Sequence, residues 1–269
     1  MERLPVLSMP DFSSDAILLK TIEFGDHDFI ISFLTKSNGK ISVIAKNAKK
    51  SVKRFSGHFD LFCVNHIQCS FPKKKKDGLI ILVKSDLEDG FVNIRHDIFK
   101  TAYASFWIEL LYFYLEENKP QSDIYDLLLF ALKTLNSDTI SKEVLNLLFQ
   151  IKFMGIAGFS PNLEKCDKCQ TVIDDFEQKN IEFDFKEGEI ICKNCFNKKS
   201  KHSMTVSKGT LKQLFWINNT DIKKADRIKF SSYAIKEGAV LLEAFIPFHI
   251  GREFKSLKFL NKIRNQVKI

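Results

Sequence analysis

The first 85 residues place apolar side chains in short runs with the period of β-strands. Five such runs are separated by turn-forming residues, and they cover residues 16–24, 29–34, 41–45, 59–71 and 79–83. Asn38-Gly39 lies between the second and third runs, and this dipeptide is a strong hairpin signal. Five short strands in about 70 residues predict a small closed barrel. An OB-fold is the leading candidate and an SH3-like barrel is the alternative.

From about residue 94 the apolar positions recur at helical spacing instead. The first helix is predicted by Ile98, Ala102, Phe106, Leu110 and Phe113, and it ends before Asn118 and Pro120. Further helices are predicted at 122–135, 141–156, 207–216, 231–248 and 256–267. Ser122 and Ser141 are candidate N-caps, and Gly158 follows the third helix as a C-cap.

These patterns predict an α+β multidomain protein. Residues 1–88 form an OB-fold nucleic-acid-binding domain, and the polar residues 86–90 mark its end. Residues 89–160 and 200–269 form an α-helical domain. Residues 161–199 are a four-cysteine insert within that helical domain.

The insert carries the most specific motif in the chain. Cys166-Asp-Lys-Cys169 and Cys192-Lys-Asn-Cys195 are two Cys-x-x-Cys pairs separated by 22 residues. Residues 181–185 and 189–191 flank Lys186-Glu-Gly188 and predict a hairpin between the pairs. Four thiolates at this spacing suit one tetrahedral Zn²⁺, and a site without an open position is structural rather than catalytic. A disulfide pair or an empty site is the alternative. Cys63 and Cys69 lack this spacing and are expected to be core thiols.

Charge is unevenly distributed along the chain. Residues 1–85 hold 14 basic and 8 acidic residues (+6), residues 86–192 hold 10 and 20 (−10), and residues 193–269 hold 17 and 5 (+12), which together give the net charge of +8. Two basic segments on either side of an acidic one predict separate surfaces for a polyanion, whereas a lysine-rich composition alone would give only a solvated surface.

The first basic surface is predicted beside the barrel, where residues 36–54 hold seven basic residues and no acidic one. They are Lys36, Lys40, Lys46, Lys49, Lys50, Lys53 and Arg54. Such a loop can follow a phosphate backbone, although a solvated loop is the alternative. The run Lys73 to Lys76 is a hairpin tip that fits DNA contact and a solubilising turn almost equally.

The second basic surface is predicted near the C-terminus. If residues 252–264 are helical, Arg252, Lys255, Lys258 and Lys262 share one side, and Phe254, Leu257, Leu260 and Ile263 share the other. The basic side would then be available to phosphates or to an acidic peptide. Gly251 and Ser256 are possible breaks in this helix, and a membrane-surface helix is a less favoured alternative.

Several function classes are not supported by any motif. There is no phosphate-binding loop of the form G-x-x-x-x-G-K-[ST], no G-x-S-x-G and no H-E-x-x-H, so the chain is not expected to be an enzyme. Asp26, His27 and Asp28 are expected to form a turn rather than a metal nuclease site. The lack of a long apolar segment and of a secretory leader predicts a cytoplasmic location without a membrane partner.

The order of these parts resembles the RecO family of bacterial recombination mediators over nearly the whole chain. The resemblance is carried by Glu23-Phe-Gly-Asp-His-Asp28, Leu34-Thr-Lys-Ser-Asn-Gly-Lys-Ile-Ser42, Ala45-Lys-Asn-Ala-Lys-Lys50, Arg54-Phe-Ser-Gly57, Gly158-Phe-Ser-Pro-Asn-Leu163 and His249-Ile-Gly-Arg-Glu-Phe-Lys-Ser256. One departure is Asn47, where the family often has glycine.

The resemblance implies an OB-fold, a helical domain and, in many members, a four-cysteine zinc site. It implies binding to single- and double-stranded DNA and annealing of strands without ATP. The implied partners are RecR, the tail of single-stranded DNA-binding protein and, indirectly, RecA, with association with the nucleoid during repair. The alternative function is a zinc-ribbon interaction adaptor in transcription or translation, without annealing activity.

Overall fold

The computed structural model describes residues 11–51, 54–55, 59–72, 78–196, 202–222 and 229–266. The chain divides into two compact units, Met1–Asn136 and Ser137–Ile269. None of the described helices is both long and apolar enough to cross a lipid bilayer.

The first unit begins with a closed five-stranded barrel. Its strands are β1 (Phe12–Phe24), β2 (Asp28–Thr35), β3 (Gly39–Ala45), β4 (Val64–Ser70) and β5 (Ile80–Asp89), in the order β1-β2-β3-β5-β4. Every neighbouring pair is antiparallel except β3 and β5. The structure therefore confirms the predicted barrel, and its topology is OB-like.

Alternation of side chains along the strands builds the barrel core. The inward positions hold Ala16, Leu18, Ile31, Phe33, Ile41, Val43, Ala45, Ile67, Cys69 and Leu82, all of which are buried. Phe55, from the segment after β3, joins this core and packs on Phe59, with 5.4 Å between their ring centroids. Phe59 in turn packs edge-on against Phe29 of β2.

Three strand boundaries were predicted wrongly. The first strand begins at Phe12 rather than at residue 16, because residues 12–17 pair with β4. The fourth strand begins at Val64 rather than at residue 59, because Phe62 has a φ of 76°, which interrupts an extended chain. The fifth strand continues to Asp89, so the predicted polar link at 86–90 is largely strand. The acidic residues are tolerated there because Glu88 is exposed and Asp86 and Asp89 are only partly buried.

Three helices complete the first unit: α1 (Val92–Arg95), α2 (Ile98–Tyr114) and α3 (Ser122–Ser137). The Asp97 carboxylate caps α2 by accepting from the backbone N–H groups of Phe99 and Lys100. The loop after α2 returns to the barrel, where the Asn118 N–H donates to the Lys40 carbonyl over 2.8 Å. Gly39 is required at this crossing, because a Cβ there would lie 1.8 Å from the Lys119 carbonyl oxygen.

These contacts group the first three helices with the barrel. The predicted domain limits at residues 88, 160 and 199 follow changes in secondary structure and composition. The boundary between the two compact units instead falls after Asn136. That residues 1–88 form a separate domain stays a prediction.

The second unit combines four helices with a small sheet. It contains α4 (Lys142–Ala157), β6 (Asn180–Asp184), β7 (Glu189–Ile191), β8 (Ser203–Ser207), α5 (Lys208–Asn219), α6 (Ser232–Ile250) and α7 (Lys255–Gln266), and the sheet order is β7-β6-β8. Helix α4 has the predicted caps: the Ser141 hydroxyl accepts from the Val144 N–H, and Gly158 ends the helix with a φ of 81°. Strand β8 was not predicted.

A buried ion pair holds the last helix in place. The Glu243 carboxylate on α6 accepts from Arg264 on α7 at 2.8 and 2.9 Å, and from the Asn146 side chain on α4 at 3.1 Å. Burial raises the pKa of Glu243, while Arg264 and Asn146 favour its charged form. Removing either partner would leave a buried charge without compensation, so the trio fixes α7 against α4 and α6.

Candidate metal centre and nucleic-acid surfaces

The four-cysteine ribbon, residues 162–196, presents its two Cys-x-x-Cys pairs on tight turns. In the first turn the Gln170 N–H donates to the Cys166 carbonyl over 2.9 Å, and Gln170 has a φ of 61°. In the second turn the N–H groups of Cys195 and Phe196 donate to the Cys192 carbonyl. Each turn directs two sulfur atoms toward the same point.

The four sulfur atoms lie close enough together to share one ion. All of them lie within 4.8 Å of one another, and the Sγ atoms of Cys169 and Cys192 are 3.6 Å apart. A tetrahedral ion with bonds of about 2.3 Å to sulfur needs edges of about 3.8 Å. The donor set and its spacing therefore fit a metal ion. This is the one such group of side chains in the part of the chain that the structure describes.

Burial and hydrogen bonding differ among the four thiols. Cys166 and Cys192 are buried, Cys195 is partly buried and Cys169 is exposed. Hydrogen bonds with Thr171 lower the pKa of Cys169 to about 6. Hydrogen bonds with Cys169 and Cys192 raise the pKa of Cys195 to about 12. The crowded thiols cannot all ionise by themselves, and a bound cation would supply the charge that four thiolates need.

An aromatic cluster holds the ribbon hairpin against the helices. The hairpin strands β6 and β7 confirm the predicted hairpin, and Phe183 of β6 packs edge-on against Phe245 of α6, with 5.3 Å between centroids. The His249 ring lies 2.8 Å from the Phe185 carbonyl and stacks on Phe159 at 13°. The motifs beginning at Gly158 and His249 thus meet at this hairpin. The sequence did not predict this role of His249, although both motifs are among those that carry the resemblance to the RecO family.

The two remaining cysteines lie in the barrel. Cys63 and Cys69 are both buried, as predicted, and burial raises the pKa of Cys69 to about 12. Both stay in the uncharged thiol form, which suits a packing role.

The turn between β1 and β2 covers residues 25–27, so Asp26 and His27 lie in a turn as predicted, while Asp28 is the first residue of β2. The Asp28 carboxylate accepts from the backbone N–H of Asn47 over 2.7 Å. Asn47 has a φ of 53°, a left-handed conformation that glycine adopts readily and that asparagine tolerates better than most other residues. This contact positions the start of the basic loop, residues 46–54.

The basic loop contains cations in two kinds of environment. Lys46 and Lys50 are exposed, and their ammonium groups form no hydrogen bond or ion pair among the described residues. Lys49 pairs with Glu23 at 2.6 Å. Arg54 donates to the Lys46 carbonyl at 2.9 Å and to the Ser51 hydroxyl at 3.0 Å, so it also stabilises the loop. Lys53 and the Lys73 to Lys76 run lie outside the described residues.

The two lysines before the loop are engaged with the helices of the first unit. Lys36 forms an exposed ion pair with Asp126 at 3.0 Å. Lys40 is buried; its ammonium donates to the Tyr112 carbonyl at 3.0 Å and lies 3.8 Å from Glu117. The geometry gives Lys40 a packing role and keeps its ammonium away from solvent.

The C-terminal segment keeps its two sides, and its helix, Lys255–Gln266, agrees closely with the predicted helix at 256–267, whereas the segment 252–264 is not helical throughout. Gly251 ends α6 with a φ of 69°, and α7 begins at Lys255, so Arg252 lies outside the helix. Phe254, Leu257, Leu260 and Ile263 are buried as predicted. The cations of the other side, Arg252, Lys255, Lys258 and Lys262, are exposed, and Lys258 pairs with Glu253.

Comparisons with known proteins agree with this arrangement. The family described as "Recombination protein O N terminal" matches residues 9–91, and "Recombination protein O C terminal" matches residues 95–258. The protein named "DNA repair protein RecO" from Desulfatibacillum aliphaticivorans is 41% identical over 258 residues, which cover 96% of this chain and 99% of that protein.

Relatives with the same name are found in other bacteria. The one from Desulfosudis oleivorans is 36% identical and covers 96% of this chain and 100% of its own length. The one from Bacillus subtilis is 27% identical and covers 93% and 94%. Full-length matches of this kind, on a chain with an OB-like barrel, a helical region and a four-cysteine ribbon, show that it belongs to the RecO family.

Proposed function

We propose that this protein is a mediator of DNA repair and recombination. It binds single- and double-stranded DNA, anneals complementary strands, and helps to load RecA onto DNA coated with single-stranded DNA-binding protein. The observation that carries the proposal is the exposed basic loop on an OB-like barrel in a chain of the RecO family. It acts in the bacterial cytoplasm, at the nucleoid during repair, and does so without catalysing a reaction.

The barrel loop supplies the first DNA surface. Lys46 and Lys50 extend into solvent, and Lys49 and Arg54 border them with partners of their own. Phosphates release counterions when such cations approach, and contacts to phosphate carry no base sequence. Binding should therefore be strongly dependent on salt and weakly dependent on sequence. Lys36 and Lys53 extend this surface, whereas the buried Lys40 does not contribute to it.

The C-terminal cations supply a second surface. Arg252, Lys255, Lys258 and Lys262 are exposed along one side of a segment whose other side is buried. Annealing requires a protein to hold two strands that repel each other, and two separate basic surfaces meet this requirement. Phe259 is 44% exposed between Lys258 and Lys262. This combination also suits the tail of single-stranded DNA-binding protein, an acidic peptide that ends in phenylalanine.

The four-cysteine ribbon holds one Zn²⁺ in a structural role. Cys166, Cys169, Cys192 and Cys195 fill all four positions of a tetrahedral site, which leaves none for water or substrate. When bound, the ion neutralises the thiolates and joins the two turns. Metal analysis of protein purified without added zinc should give about one equivalent per chain. Four freely titratable thiols in the native protein would contradict this assignment.

The other partners rest on family membership. RecR is the proposed direct partner, and RecA is reached indirectly through the mediator complex. Binding of the tail peptide should weaken as salt rises, because the peptide and the C-terminal surface carry opposite charges. No binding at low salt would count against this partner.

The decisive experiment is strand annealing without nucleotide or magnesium. Complementary single strands, first coated with single-stranded DNA-binding protein, should anneal faster when the protein is added. The alternative, an adaptor in transcription or translation, is favoured only by the zinc ribbon itself. Such an adaptor would leave the annealing rate unchanged, so the two functions give opposite results.

A further inference from the structure

The four thiols of the ribbon are unequally accessible to small solutes. Cys166 is fully buried and Cys192 is 6% exposed, whereas Cys169 is on the surface. Cys195 is partly buried. A cavity of about 470 Å³ opens beside the cluster, and its lining includes Cys169 and Cys192 but neither Cys166 nor Cys195. A small molecule that enters the cavity therefore meets one cysteine from each Cys-x-x-Cys turn.

Those two sulfurs are also close enough to become bonded to each other. Their Sγ atoms are 3.6 Å apart, and each lies on a short turn. A disulfide needs its sulfur atoms at about 2.05 Å, so a small movement of the two turns is sufficient. Such a bond would connect the two turns instead of joining the two cysteines of one turn.

We propose that Cys169 is a reaction site for hydrogen peroxide and that Cys192 is its disulfide partner. The inference rests on the metal centre proposed above. The Cys169 thiolate attacks one peroxide oxygen and becomes a sulfenic acid, releasing hydroxide. The Cys192 thiolate then attacks the Cys169 sulfur, forms the disulfide and releases a second hydroxide. In total, two thiolates are oxidised and one peroxide is reduced to two hydroxides.

Oxidation would remove two of the four donors from the ion. The ion would keep only Cys166 and Cys195, and a zinc site with two protein thiolates binds far more weakly than one with four. Metal release therefore accompanies formation of the disulfide. The barrel cysteines are internal controls, since Cys63 and Cys69 are buried and their thiols stay protonated.

The direct test treats the zinc-loaded, full-length protein with about one equivalent of hydrogen peroxide per chain. Released zinc is followed with a chromogenic chelator, and disulfides are mapped by mass spectrometry after alkylation. The expected result is one main cross-linked peptide pair, Cys169 with Cys192, that forms in step with zinc release. Disulfides confined to single Cys-x-x-Cys turns, or zinc that stays bound after Cys169 and Cys192 are joined, would overturn the inference.

A second test keeps all four cysteines and narrows the cavity. Glu177 lines the cavity outside both turns and is exposed, so Glu177→Trp adds bulk without removing a ligand. Glu177→Gln removes the same charge without the bulk. Zinc release should slow by about threefold or more in the Trp variant and stay near the parent rate in the Gln variant, since thiol reactivity follows access. Equal rates in all three proteins would show that the cavity is not the route.

Zinc content and disulfide mapping test the metal centre and the cysteine pair separately. If the untreated protein contains no zinc, the proposed metal centre is wrong. If it contains zinc but peroxide oxidises another pair first, the metal centre stands and the assignment of Cys169 and Cys192 is wrong.

Discussion

The barrel and the four-cysteine ribbon are both small β-structures, yet different forces hold them together. The barrel closes on itself around inward-facing aliphatic and aromatic side chains, so burial of apolar surface stabilises it. The ribbon has short strands, and its large buried apolar side chains are Leu163, Ile173, Phe176, Ile181, Phe183 and Ile190. It depends on four thiols and on aromatic contacts with α6. Small folds without a sufficient core commonly need such a metal.

Metal removal should give the largest difference in hydrogen-exchange protection between the four-cysteine ribbon and the barrel. A structural zinc contributes about 10 kcal/mol or more to the folding of a small domain. Chelation under reducing conditions should therefore expose the amides of residues 162–196 to hydrogen exchange, while the amides of β1 to β3 stay protected. Cys166→Ser should reproduce this pattern, and Cys63→Ala should leave the zinc content unchanged. Equal loss of protection in both regions would contradict the comparison.

Truncation of the barrel core should produce the opposite pattern. Phe33 is fully buried among the inward-facing side chains of the barrel. Phe33→Ala should lower the free energy of unfolding by about 3–5 kcal/mol, since it removes apolar contacts and leaves a cavity. Denaturant unfolding measures the loss, and zinc content should remain at the parent value. If Phe33→Ala also lowered the zinc content, the barrel and the four-cysteine ribbon would not be stabilised independently of each other.

Substitution of Gly39, where the loop after α2 meets the barrel, should lower the free energy of unfolding by a smaller amount, and only in the first unit. Gly39→Ala places a methyl group against the Lys119 carbonyl and strains a residue whose φ is +69°. The expected cost is about 1–3 kcal/mol in the free energy of unfolding. Gly25 also has a positive φ but has open space around it, so Gly25→Ala measures the backbone strain alone. Equal costs for the two variants would exclude a steric role for the crossing.

The histidine contact should measure how firmly the ribbon is held to α6. His249→Ala removes a hydrogen bond to the Phe185 carbonyl and a stacking partner of Phe159. A net hydrogen bond contributes about 1 kcal/mol, so the loss of stability should be of that order. Exchange should increase in β6 with zinc still bound, and His249→Gln should restore part of the protection. Unchanged exchange in β6 would show that the contact is not needed.

The loop cations should affect stability least and DNA binding most. Lys46→Ala and Lys50→Ala remove exposed cations without side-chain partners among the described residues, so the unfolding free energy should stay unchanged. Each should lower affinity on every DNA sequence and reduce the slope of log affinity against log salt by about one unit. Arg54→Ala should also destabilise the loop, because it caps the Lys46 carbonyl.

Replacing Lys46, Lys49, Lys50, Lys53 and Arg54 together should remove most binding by the barrel. Any remaining affinity then reports the surface that contains Arg252 and Lys258. A five-site variant that anneals strands at the parent rate would transfer the DNA site to that C-terminal surface. Zinc content and the unfolding transition provide the controls for this variant.

Local signals predicted much of this fold. The cap residues Ser141 and Gly158 located α4, and the spacing of the four cysteines located the ribbon. The first depends on residues that are close in the sequence, and the second on a repeated motif whose four cysteines could share one metal ion. Strand β8 was missed because Ser203–Ser207 alternates weakly and pairs with β6 about 20 residues earlier.

Long-range packing accounts for what the sequence pattern could not predict. Lys40 belongs to a basic run, but its ammonium binds a carbonyl 72 residues away, at Tyr112. A lysine can bury its aliphatic stem and ammonium in this way only when such a partner folds against it. The same limit applies to His249, whose partner Phe185 lies 64 residues away. The run of basic residues therefore predicted a positively charged surface, but it did not predict which of these residues lie on that surface.

The barrel is closed by a short parallel pairing between β3 and β5. There, Val43 is aligned with Ile80 and Ile44 with Ile81, whereas the pairing of β2 with β3 runs from Phe29 to Thr35. A ring of strands opens first where the fewest hydrogen bonds close it, so the amides of Ile80 and Ile81 should exchange before those of β2. The basic loop follows β3 directly after this parallel pairing. If the loop binds DNA as proposed, tension from the bound strand would act on the part of the barrel with the shortest strand pairing.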